Sequence, residues 1–261
     1  MSSALKSLAL KSLALKSLIV TGGGRGIGAA VARMAAQRGY AVTFSYIGNA
    51  GAAEATLAAI REAGGQAQAV KGDAAREDDI RALFDAAEDR FGPTAGLVNN
   101  AGIIGPYGRL DEAAPDELRR MLDINVTGAV LCAREAVRRM STRHGGKGGG
   151  IVNIGSIAAV LGSPNEYVGY AASKGAVDSL TIGLAREVAK DGIRVNCVRP
   201  GLIDTDIQVI PGVGNRLDNP ALIPPAGRAG TADEVAETVL WLLSDAASYV
   251  TGALLNVSGG R

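Results

Sequence analysis

The sequence is poor in the residues that build disulfide-stapled, metal-binding or hydrolytic sites. It has two cysteines and one histidine among 261 residues. Two cysteines are too few for a disulfide framework. One histidine excludes His-rich metal sites and leaves any hydrolytic triad dependent on His144, which stands among glycines. No Gly-x-Ser-x-Gly motif surrounds any serine, which further disfavours a hydrolase. With so few cysteines and histidines, we also expect no metal site.

Neither sign of charge is in excess, and long apolar runs are also missing. The chain has 27 Lys and Arg against 26 Asp and Glu, a net charge of +1. Nucleic-acid binding through counterion release requires a basic excess, so we expect no nucleic-acid partner. A Leu-Ala-Leu-Lys-Ser repeat from roughly Ala4 to Ser17 is interrupted by lysines, and is too short for a signal-peptide core or a membrane span. We therefore expect no membrane partner and a cytoplasmic location.

The repeat differs in character from the rest of the chain. A five-residue step rotates a helix by about 140° per repeat, so the leucines would not share one face. We interpret residues 1–17 as an N-terminal extension or an artefact, with an extra helix as the alternative. No linker or shift in composition divides residues 18–261, which we expect to form a single domain.

Short apolar segments alternate with longer helical patterns through that domain. The predicted strands cover residues 17–21, 41–45, 67–71, 95–99, 151–154, 194–198 and 254–257. The predicted helices cover residues 27–38, 52–63, 77–91, 116–140, 170–190 and 233–244. Strands joined by crossover helices form a parallel sheet with helices on both faces. We predict an α/β fold of the Rossmann type, with a doubly wound, seven-stranded parallel sheet.

Glycine, in contrast, is abundant, and one cluster of glycines predicts a ligand. Glycine accounts for 36 of 261 residues, about twice the usual ~7%. The sequence Thr21-Gly22-Gly23-Gly24-Arg25-Gly26-Ile27-Gly28 directly follows the first predicted strand and opens the first helix. Glycines there allow the backbone to approach a pyrophosphate, and the helix N-terminus supplies amide donors. No Gly-Lys-Ser/Thr follows, so the loop predicts a dinucleotide site rather than a P-loop.

The end of the second predicted strand indicates which dinucleotide binds. Chains that bind NAD place an acid about 20 residues beyond the glycines, where it binds the ribose 2′-hydroxyl. No acid lies between Gly28 and Glu54; Ser45 and Tyr46 end the strand, and Arg25 stands in the loop. An arginine and a hydroxyl can bind a 2′-phosphate that an acid would repel. We predict NADP(H) in preference to NAD(H).

Tyr170 and Lys174 are candidate catalytic residues. They lie four residues apart at the start of a predicted helix and so share one face. An ammonium stabilises a nearby phenolate, and such a pair can transfer a proton to or from a substrate oxygen. The spacing alone also fits a helix-surface pair, but Ser156 follows a predicted strand at the sheet edge where ligands bind. Tyr167 is the weaker candidate because Ala171, not lysine, lies four residues on.

Together these residues resemble the short-chain dehydrogenase/reductase family, from about residue 18 to residue 260. Thr21, Gly22, Gly26 and Gly28 match the family's TGxxxGxG motif. Further matches are the NNAG segment at Asn99-Asn100-Ala101-Gly102, Asp73 after the third strand, Asn125, and Pro200-Gly201 followed by Thr205. The resemblance implies a catalytic set made of Asn125, Ser156, Tyr170 and Lys174.

The resemblance also implies a role for each of these residues. Tyr170 would donate or accept the proton, Lys174 would assist it and bind the nicotinamide ribose, and Ser156 would bind the carbonyl oxygen. Asn125 would carry a water toward Lys174, and Asp73 would meet the adenine. The implied cofactor-binding residues are Gly22, Gly24, Arg25, Gly26, Ile27, Gly28, Ser45, Tyr46, Asp73, Asn99, Ala101, Gly102, Tyr170, Lys174, Pro200, Gly201, Ile203 and Thr205.

The substrate is named only by class, a small carbonyl or alcohol compound. The chain is similar to single-domain members such as 3-oxoacyl carrier-protein reductases and glucose dehydrogenases, and it lacks the longer tyrosine–lysine spacing of the enoyl-reductase branch. Substrate choice would lie in residues 202–228, a Pro- and Gly-rich segment expected to be an irregular, mobile loop. We expect its charges, Asp204, Asp206, Arg216 and Arg228, to be solvated, with contact to a polar substrate as the alternative. The alternative function is a non-catalytic NADP(H)-binding sensor or scaffold.

Two further expectations concern assembly and the cysteines. The resemblance implies a homotetramer, which fits the apolar residues on more than one face of the long predicted helices. Cys132 lies in a helical pattern and Cys197 in a strand, so both are expected to be small core groups rather than reactive thiols.

Overall fold

The computed structural model describes residues 15–261, and its centre is a parallel sheet of seven strands in the order β3-β2-β1-β4-β5-β6-β9. The strands are β1 (Lys16–Val20), β2 (Tyr40–Tyr46), β3 (Gln66–Lys71), β4 (Thr94–Asn99), β5 (Gly149–Ile154), β6 (Ile193–Pro200) and β9 (Leu254–Val257). The order reverses beside β1, between β1 and β4, as in a doubly wound sheet. The predicted fold class is confirmed.

Helices cover both faces of the sheet. They are α1 (Gly26–Gln37), α2 (Ala50–Glu62), α3 (Glu77–Phe91), α4 (Pro115–Leu122), α5 (Ala129–Met140), α6 (Ala158–Leu161), α7 (Val168–Val188) and α8 (Ala232–Leu243). Successive strand residues point to opposite faces, so Leu18 and Val20 pack against α1, α2 and α8, whereas Ile19 packs against α3, α5 and α7. None of the helices within residues 15–261 is long and apolar enough to cross a membrane.

The predicted helix over residues 116–140 is divided in the structure. Between α4 and α5 the chain forms a wider, π-helical segment, Asp123–Gly128. Gly128 closes this segment against the backbone of Ala74, whose carbonyl would overlap a Cβ at that position. Such bulges insert an extra residue into a helical turn and are frequent at functional sites. The hydrophobic period continues through the segment, so the sequence pattern did not reveal the bulge.

Two other regions differ from the predicted elements. Strand β1 begins at Lys16, so the last two residues of the N-terminal repeat belong to the sheet. Residues 1–14 lie outside the described residues, and their interpretation as an extension stays a prediction. Residues 202–228, expected to be irregular, contain a small antiparallel hairpin of β7 (Val209–Ile210) and β8 (Gly214–Asn215).

Both cysteines are buried in the core, and we expect neither to react in the native protein. Cys132 on α5 and Cys197 on β6 are 0% exposed, and burial raises the pKa of each thiol to about 12. Since the thiolate is the reactive form, fewer than ~1 in 10³ of these thiols is ionised at about pH 8. Titration with Ellman's reagent should therefore detect under ~0.1 thiol per native chain within minutes and both thiols after denaturation. Rapid native labelling of either would contradict this placement.

Candidate active site

A cleft at the carboxyl ends of the central strands contains two connected cavities. We call them the tyrosine cavity, about 450 Å³, which borders Tyr170, and the glycine cavity, about 350 Å³, which borders the loop after β1. Residues that line both are Ile27, Asn100, Gly102, Thr205 and Ile207. The two cavities are therefore one continuous cleft. It lies where open α/β sheets bind their ligands.

The loop after β1 lets the backbone form the floor of the glycine cavity. Gly22 and Gly26 have φ angles of 67° and 55°, in the left-handed region that favours glycine. The Gly22 N–H donates to the Ser45 hydroxyl at 3.1 Å, which anchors the loop to β2. A Cβ on Gly28 would overlap the Gly22 carbonyl and the Asn100 side-chain amide. Each of these glycines is required by the local geometry, and α1 begins at the cavity wall.

Thr21 and Asn100 join this loop to β4. Neither was among the predicted cofactor-binding residues. The Thr21 hydroxyl accepts the backbone N–H groups of Asn100 and Ala101, each at 2.9 Å. In return, the Asn100 side-chain amide donates to the carbonyls of Thr21 at 2.9 Å and Gly22 at 3.0 Å. Their presence in the TG and NNAG motifs was the signal available in the sequence.

Asn99 takes a different position from the one implied for it. Its side chain donates to the Ala129 carbonyl at 2.8 Å and to Asn153 Oδ1 at 3.2 Å, away from both cavities. Neighbouring residues of an extended strand alternate between the two faces, so Asn99 and Asn100 cannot both face the cleft. Asn99 thus ties β4 to α5, and Asn100 lines the cleft.

The end of the glycine cavity beside β2 holds one guanidinium and one carboxylate. Arg25, Ser45 and Tyr46 line it together, and Asp206 lies opposite Arg25 with 4.0 Å between Arg25 Nη1 and Asp206 Oδ2. The two side chains are 68% and 79% exposed, so this ion pair contributes little stabilisation. Another anion can therefore readily replace Asp206 at Arg25. Sequence reasoning did not place Asp206 here, because the contact depends on how residues 202–228 fold over the loop.

Asp73 lines the glycine cavity at its other end, after β3. Its Oδ1 accepts the Ala75 N–H at 2.9 Å and its Oδ2 accepts Arg120 Nη2 at 2.6 Å. Its own N–H donates to Asp79 at 2.8 Å. These bonds fix the carboxylate, and each oxygen retains a lone pair for a ligand donor.

Tyr170, Lys174 and Ser156 meet at the tyrosine cavity. Lys174 Nζ donates to the Ile154 carbonyl at 2.7 Å and lies 5.6 Å from the centre of the Tyr170 ring. The ammonium therefore stays beside the phenol and retains two further N–H donors. Ser156 accepts the Ala158 N–H at 3.1 Å, which leaves its own hydroxyl proton free to be donated into the cavity.

Asn125 lies in the π-helical segment, beneath this group rather than in the cavity. Its amide nitrogen donates to the Ile103 carbonyl at 2.8 Å and to Ser173 Oγ at 3.1 Å, and its Oδ1 accepts the Ile103 N–H at 2.9 Å. A Cβ on Gly102 would lie 3.2 Å from Asn125 Oδ1 and 3.6 Å from Lys174 Nζ. Asn125 and Lys174 thus both border Gly102. The proton relay implied for Asn125 stays a prediction.

Arg216 was expected to be solvated, and that expectation is wrong: its side chain is only 18% exposed. Its guanidinium donates to Glu166 at 2.9 Å and to Gln208 at 3.2 Å, and it lies 5.3 Å from the centre of the Tyr167 ring. All four of these residues line the tyrosine cavity. Burial raises the pKa of Tyr167 to about 12, so its phenol stays protonated beside Tyr170.

The remaining predicted residues fall on the cleft. Gly24 and Ala101 line the glycine cavity, whereas Pro200, Gly201 and Ile203 line the tyrosine cavity. Apolar side chains complete the wall of the tyrosine cavity, namely Ile104, Ile154, Ile157, Leu161 and Leu202. A glycine-lined dinucleotide cleft that opens on a Tyr–Lys–Ser group is the site of a Rossmann-fold oxidoreductase.

Comparisons with known proteins identify the family. A family model described as enoyl-(acyl carrier protein) reductase matches residues 22–261. YgfF of Escherichia coli (strain K12), named an uncharacterized oxidoreductase, is 49% identical over 243 residues, which are 93% of this chain and 98% of YgfF. The cis-4-hydroxycyclohexanecarboxylate dehydrogenase of Sinomonas cyclohexanicum is 41% identical over 243 residues, 93% of this chain and 94% of that one.

The fold has solved relatives as well. A short-chain dehydrogenase from Burkholderia cenocepacia J2315 in complex with NADP superposes with a TM-score of 0.85 at 34% identity, and the match covers 94% of this chain and 97% of that one. The chain belongs to the short-chain dehydrogenase/reductase family. It is an oxidoreductase of a family that uses a nicotinamide cofactor and acts on small molecules.

Proposed function

We propose that the chain is an NADP(H)-dependent oxidoreductase that transfers a hydride between nicotinamide and a carbonyl or alcohol carbon, with Tyr170 as the proton donor or acceptor. The observation that carries the proposal is the meeting of Tyr170, Lys174 and Ser156 in a cavity continuous with the glycine loop. Calorimetric titration with NADPH and NADH tests the cofactor, and turnover of ketones, 3-oxoacyl thioesters and sugars tests the reaction. Absence of NADPH binding would overturn the proposal.

The residues present fit NADP(H). The glycine loop brings backbone to a surface that side chains would fill, and α1 directs its first N–H groups toward the same place, as a pyrophosphate requires. Arg25 supplies positive charge beside Ser45 where an NAD-binding chain would have an acid. NADP and NADPH complexes among the similar structures, from Burkholderia cenocepacia and from a metagenomic library, also support this choice.

The protein's part in the chemistry follows from three side chains. When bound, the nicotinamide supplies or accepts the hydride. In the reducing direction the Ser156 hydroxyl donates a hydrogen bond to the substrate carbonyl oxygen, and the Tyr170 hydroxyl transfers its proton to that oxygen as the alcohol forms. Lys174 stabilises the resulting phenolate. In the oxidising direction the Tyr170 phenolate takes the proton from the alcohol.

We expect Arg25→Ala to weaken NADPH binding far more than NADH binding. A charge-assisted hydrogen bond contributes about 1.5–3 kcal/mol, which corresponds to a rise of roughly 10- to 100-fold in the Kd for NADPH. NADH lacks the 2′-phosphate, so its Kd should change less than about threefold. Calorimetry on both cofactors measures this, with Arg81→Ala on the exposed face of α3 as the control. Equal losses for the two cofactors would exclude a 2′-phosphate role for Arg25.

The substrate is resolved only to its class. A sugar and a 3-oxoacyl thioester differ in size and polarity, and the turnover panel separates them. The alternative function, a non-catalytic sensor or scaffold, predicts NADPH binding with no turnover of any member of the panel. The complete group of Tyr170, Lys174 and Ser156 supports the enzyme.

We propose in addition that the chain assembles as a homotetramer. Large apolar side chains are exposed on α4, α5, α8 and β9, namely Leu122, Val130, Trp241 and Leu255. Exposed apolar groups on packed elements are common at subunit interfaces. Light scattering at micromolar protein concentration tests this, and a monomer mass would contradict it. The cytoplasmic location stays a prediction.

A further inference from the structure

The tyrosine cavity contains a second arginine, which the motifs did not single out. Arg261 lines it together with Tyr170 and Lys174 of α7, although 87 residues separate Arg261 from Lys174 along the chain. The segment that follows β9 brings it there. Gly201 donates its N–H to the Val257 carbonyl at 2.9 Å, so this segment starts against the cavity wall.

Residues 258–261 are fixed by contacts on both sides. The Ser258 hydroxyl donates to the Arg261 carbonyl at 2.9 Å, and the Ala226 N–H donates to the Gly259 carbonyl at 2.9 Å. Gly259 and Gly260 have φ angles of 64° and 91°, which turn the chain back. A Cβ on Gly259 would lie 3.1 Å from Pro224, and one on Gly260 would lie 3.3 Å from Pro225. The backbone that carries Arg261 thus packs directly against residues 202–228, the segment in which substrate choice is expected to lie.

The charged side chains that line the tyrosine cavity are three cations, Lys174, Arg216 and Arg261, and one acid, Glu166. Glu166 is paired with Arg216, and Lys174 belongs to the catalytic group. Within residues 15–261, Arg261 forms no ion pair; its Nη1 donates to the Leu222 carbonyl at 2.9 Å. A half-buried guanidinium has five N–H donors, so most of its donors are left for a ligand.

We propose that Arg261 binds a carboxylate of the substrate, so that the enzyme acts on compact keto or hydroxy acids whose carbon skeleton lies against the apolar wall. This inference rests on the proposed function. A guanidinium binds a carboxylate through two parallel hydrogen bonds, with a geometric preference that a neutral hydroxyl or ester does not satisfy. A cavity of about 450 Å³ suits such a small molecule. The anionic groups of the cofactor would lie at the glycine loop, in the cavity that Arg261 does not line. A carboxylate of the substrate is therefore the anion that Arg261 can bind in the tyrosine cavity.

The test compares a charged substrate with a neutral one of similar shape. The probes are 4-oxocyclohexanecarboxylate and its methyl ester, each reduced with NADPH by the wild-type chain, Arg261→Gln and Arg261→Lys. For Arg261→Gln we expect kcat/KM on the acid to fall by roughly 10- to 100-fold, mostly through KM, and on the ester by less than about twofold. Arg261→Lys should retain part of the activity on the acid, since lysine keeps the positive charge but lacks the paired N–H donors of the guanidinium.

Binding gives a second readout that does not depend on turnover. Calorimetry should show cyclohexanecarboxylate binding to the NADP-loaded wild-type protein at least about tenfold more tightly than cyclohexanecarboxamide, and Arg261→Gln should remove that difference. Arg81→Gln is the matched control, because Arg81 is exposed on α3 and pairs with Glu77 and Asp78 away from the cavity. The inference would be overturned if Arg261→Gln lowered kcat/KM equally on the acid and the ester, or if the wild type bound cyclohexanecarboxylate no more tightly than the carboxamide. Turnover of the ester would still support the proposed function in that case. Failure of the wild type to bind NADPH would instead overturn the proposed function itself.

Discussion

Replacing Tyr170 with phenylalanine is expected to lower kcat by about 10³-fold while the Kd for NADPH changes less than about threefold. The substitution removes only the hydroxyl that transfers the proton. The ring keeps its place beside Lys174, whose Nζ is held by the Ile154 carbonyl at 2.7 Å. Steady-state turnover of the best ketone in the panel, followed by the absorbance of NADPH, gives kcat, and calorimetry gives the Kd.

Tyr167 provides the matched control for this variant. Its ring lies 6.5 Å from that of Tyr170 in the same cavity, and burial raises the pKa of its phenol to about 12. A phenol held neutral is a poor partner for proton exchange, so Tyr167→Phe should lower kcat by less than about tenfold. Unchanged kcat for Tyr170→Phe, or an equal loss for the two variants, would show that the proton comes from another group.

Replacing Arg199 with leucine should destabilise the protein strongly. Arg199 on β6 donates to both carboxylate oxygens of Asp178 on α7, at 3.0 and 2.7 Å, and the two side chains are 13% and 11% exposed. Removal of the arginine leaves a nearly buried carboxylate without its partner, which costs about 3–5 kcal/mol. For a chain of this length the Tm should fall by roughly 10 °C. Calorimetric unfolding at a fixed protein concentration measures it.

The double variant separates the pair from simple loss of packing. Leucine at both positions removes both charges, and apolar replacement of a buried ion pair is often close to neutral in stability. We therefore expect Asp178→Leu combined with Arg199→Leu to be more stable than Arg199→Leu alone. A Tm for Arg199→Leu within about 2 °C of the wild type would mean that water solvates the Asp178 carboxylate in place of the lost arginine, and it would contradict this prediction. Because Asp178 follows Lys174 by one helical turn and lies beneath Gly155, the pair also holds α7 against the cavity floor.

The parts of the fold that were predictable from the sequence are those set by local patterns. Short apolar runs between turn residues indicated the strands of the parallel sheet, and the signal is clearest in β1, β4 and β5, which are buried at the centre of the sheet. The glycine loop was predictable because its positions are determined by neighbouring backbone, as at Gly28, where no side chain fits. Thr231 and Glu234 have the spacing of a capping box, and they form one at the start of α8.

The parts that were not predictable depend on contacts distant in the sequence. The burial of Arg216 depends on Glu166, 50 residues away, and on the ring of Tyr167. The position of Arg261 depends on two glycines that turn the chain onto Pro224 and Pro225. Neither contact leaves a periodic trace in the sequence. The catalytic group, in contrast, was predictable because Ser156 follows the end of β5, and Tyr170 and Lys174 lie in the first two turns of α7.

Transfer of a labelled hydride tests the central claim most directly. The purified enzyme is incubated with NADPH that carries deuterium at the transferable C4 position and with each ketone of the panel, and the alcohol products are analysed by mass spectrometry. The account predicts that at least one product carries the deuterium on its carbinol carbon, and that Tyr170→Phe forms it far more slowly. If NADPH binds but no ketone in the panel gives deuterated alcohol, the chain is a cofactor-binding protein without reductase activity, and the account is contradicted.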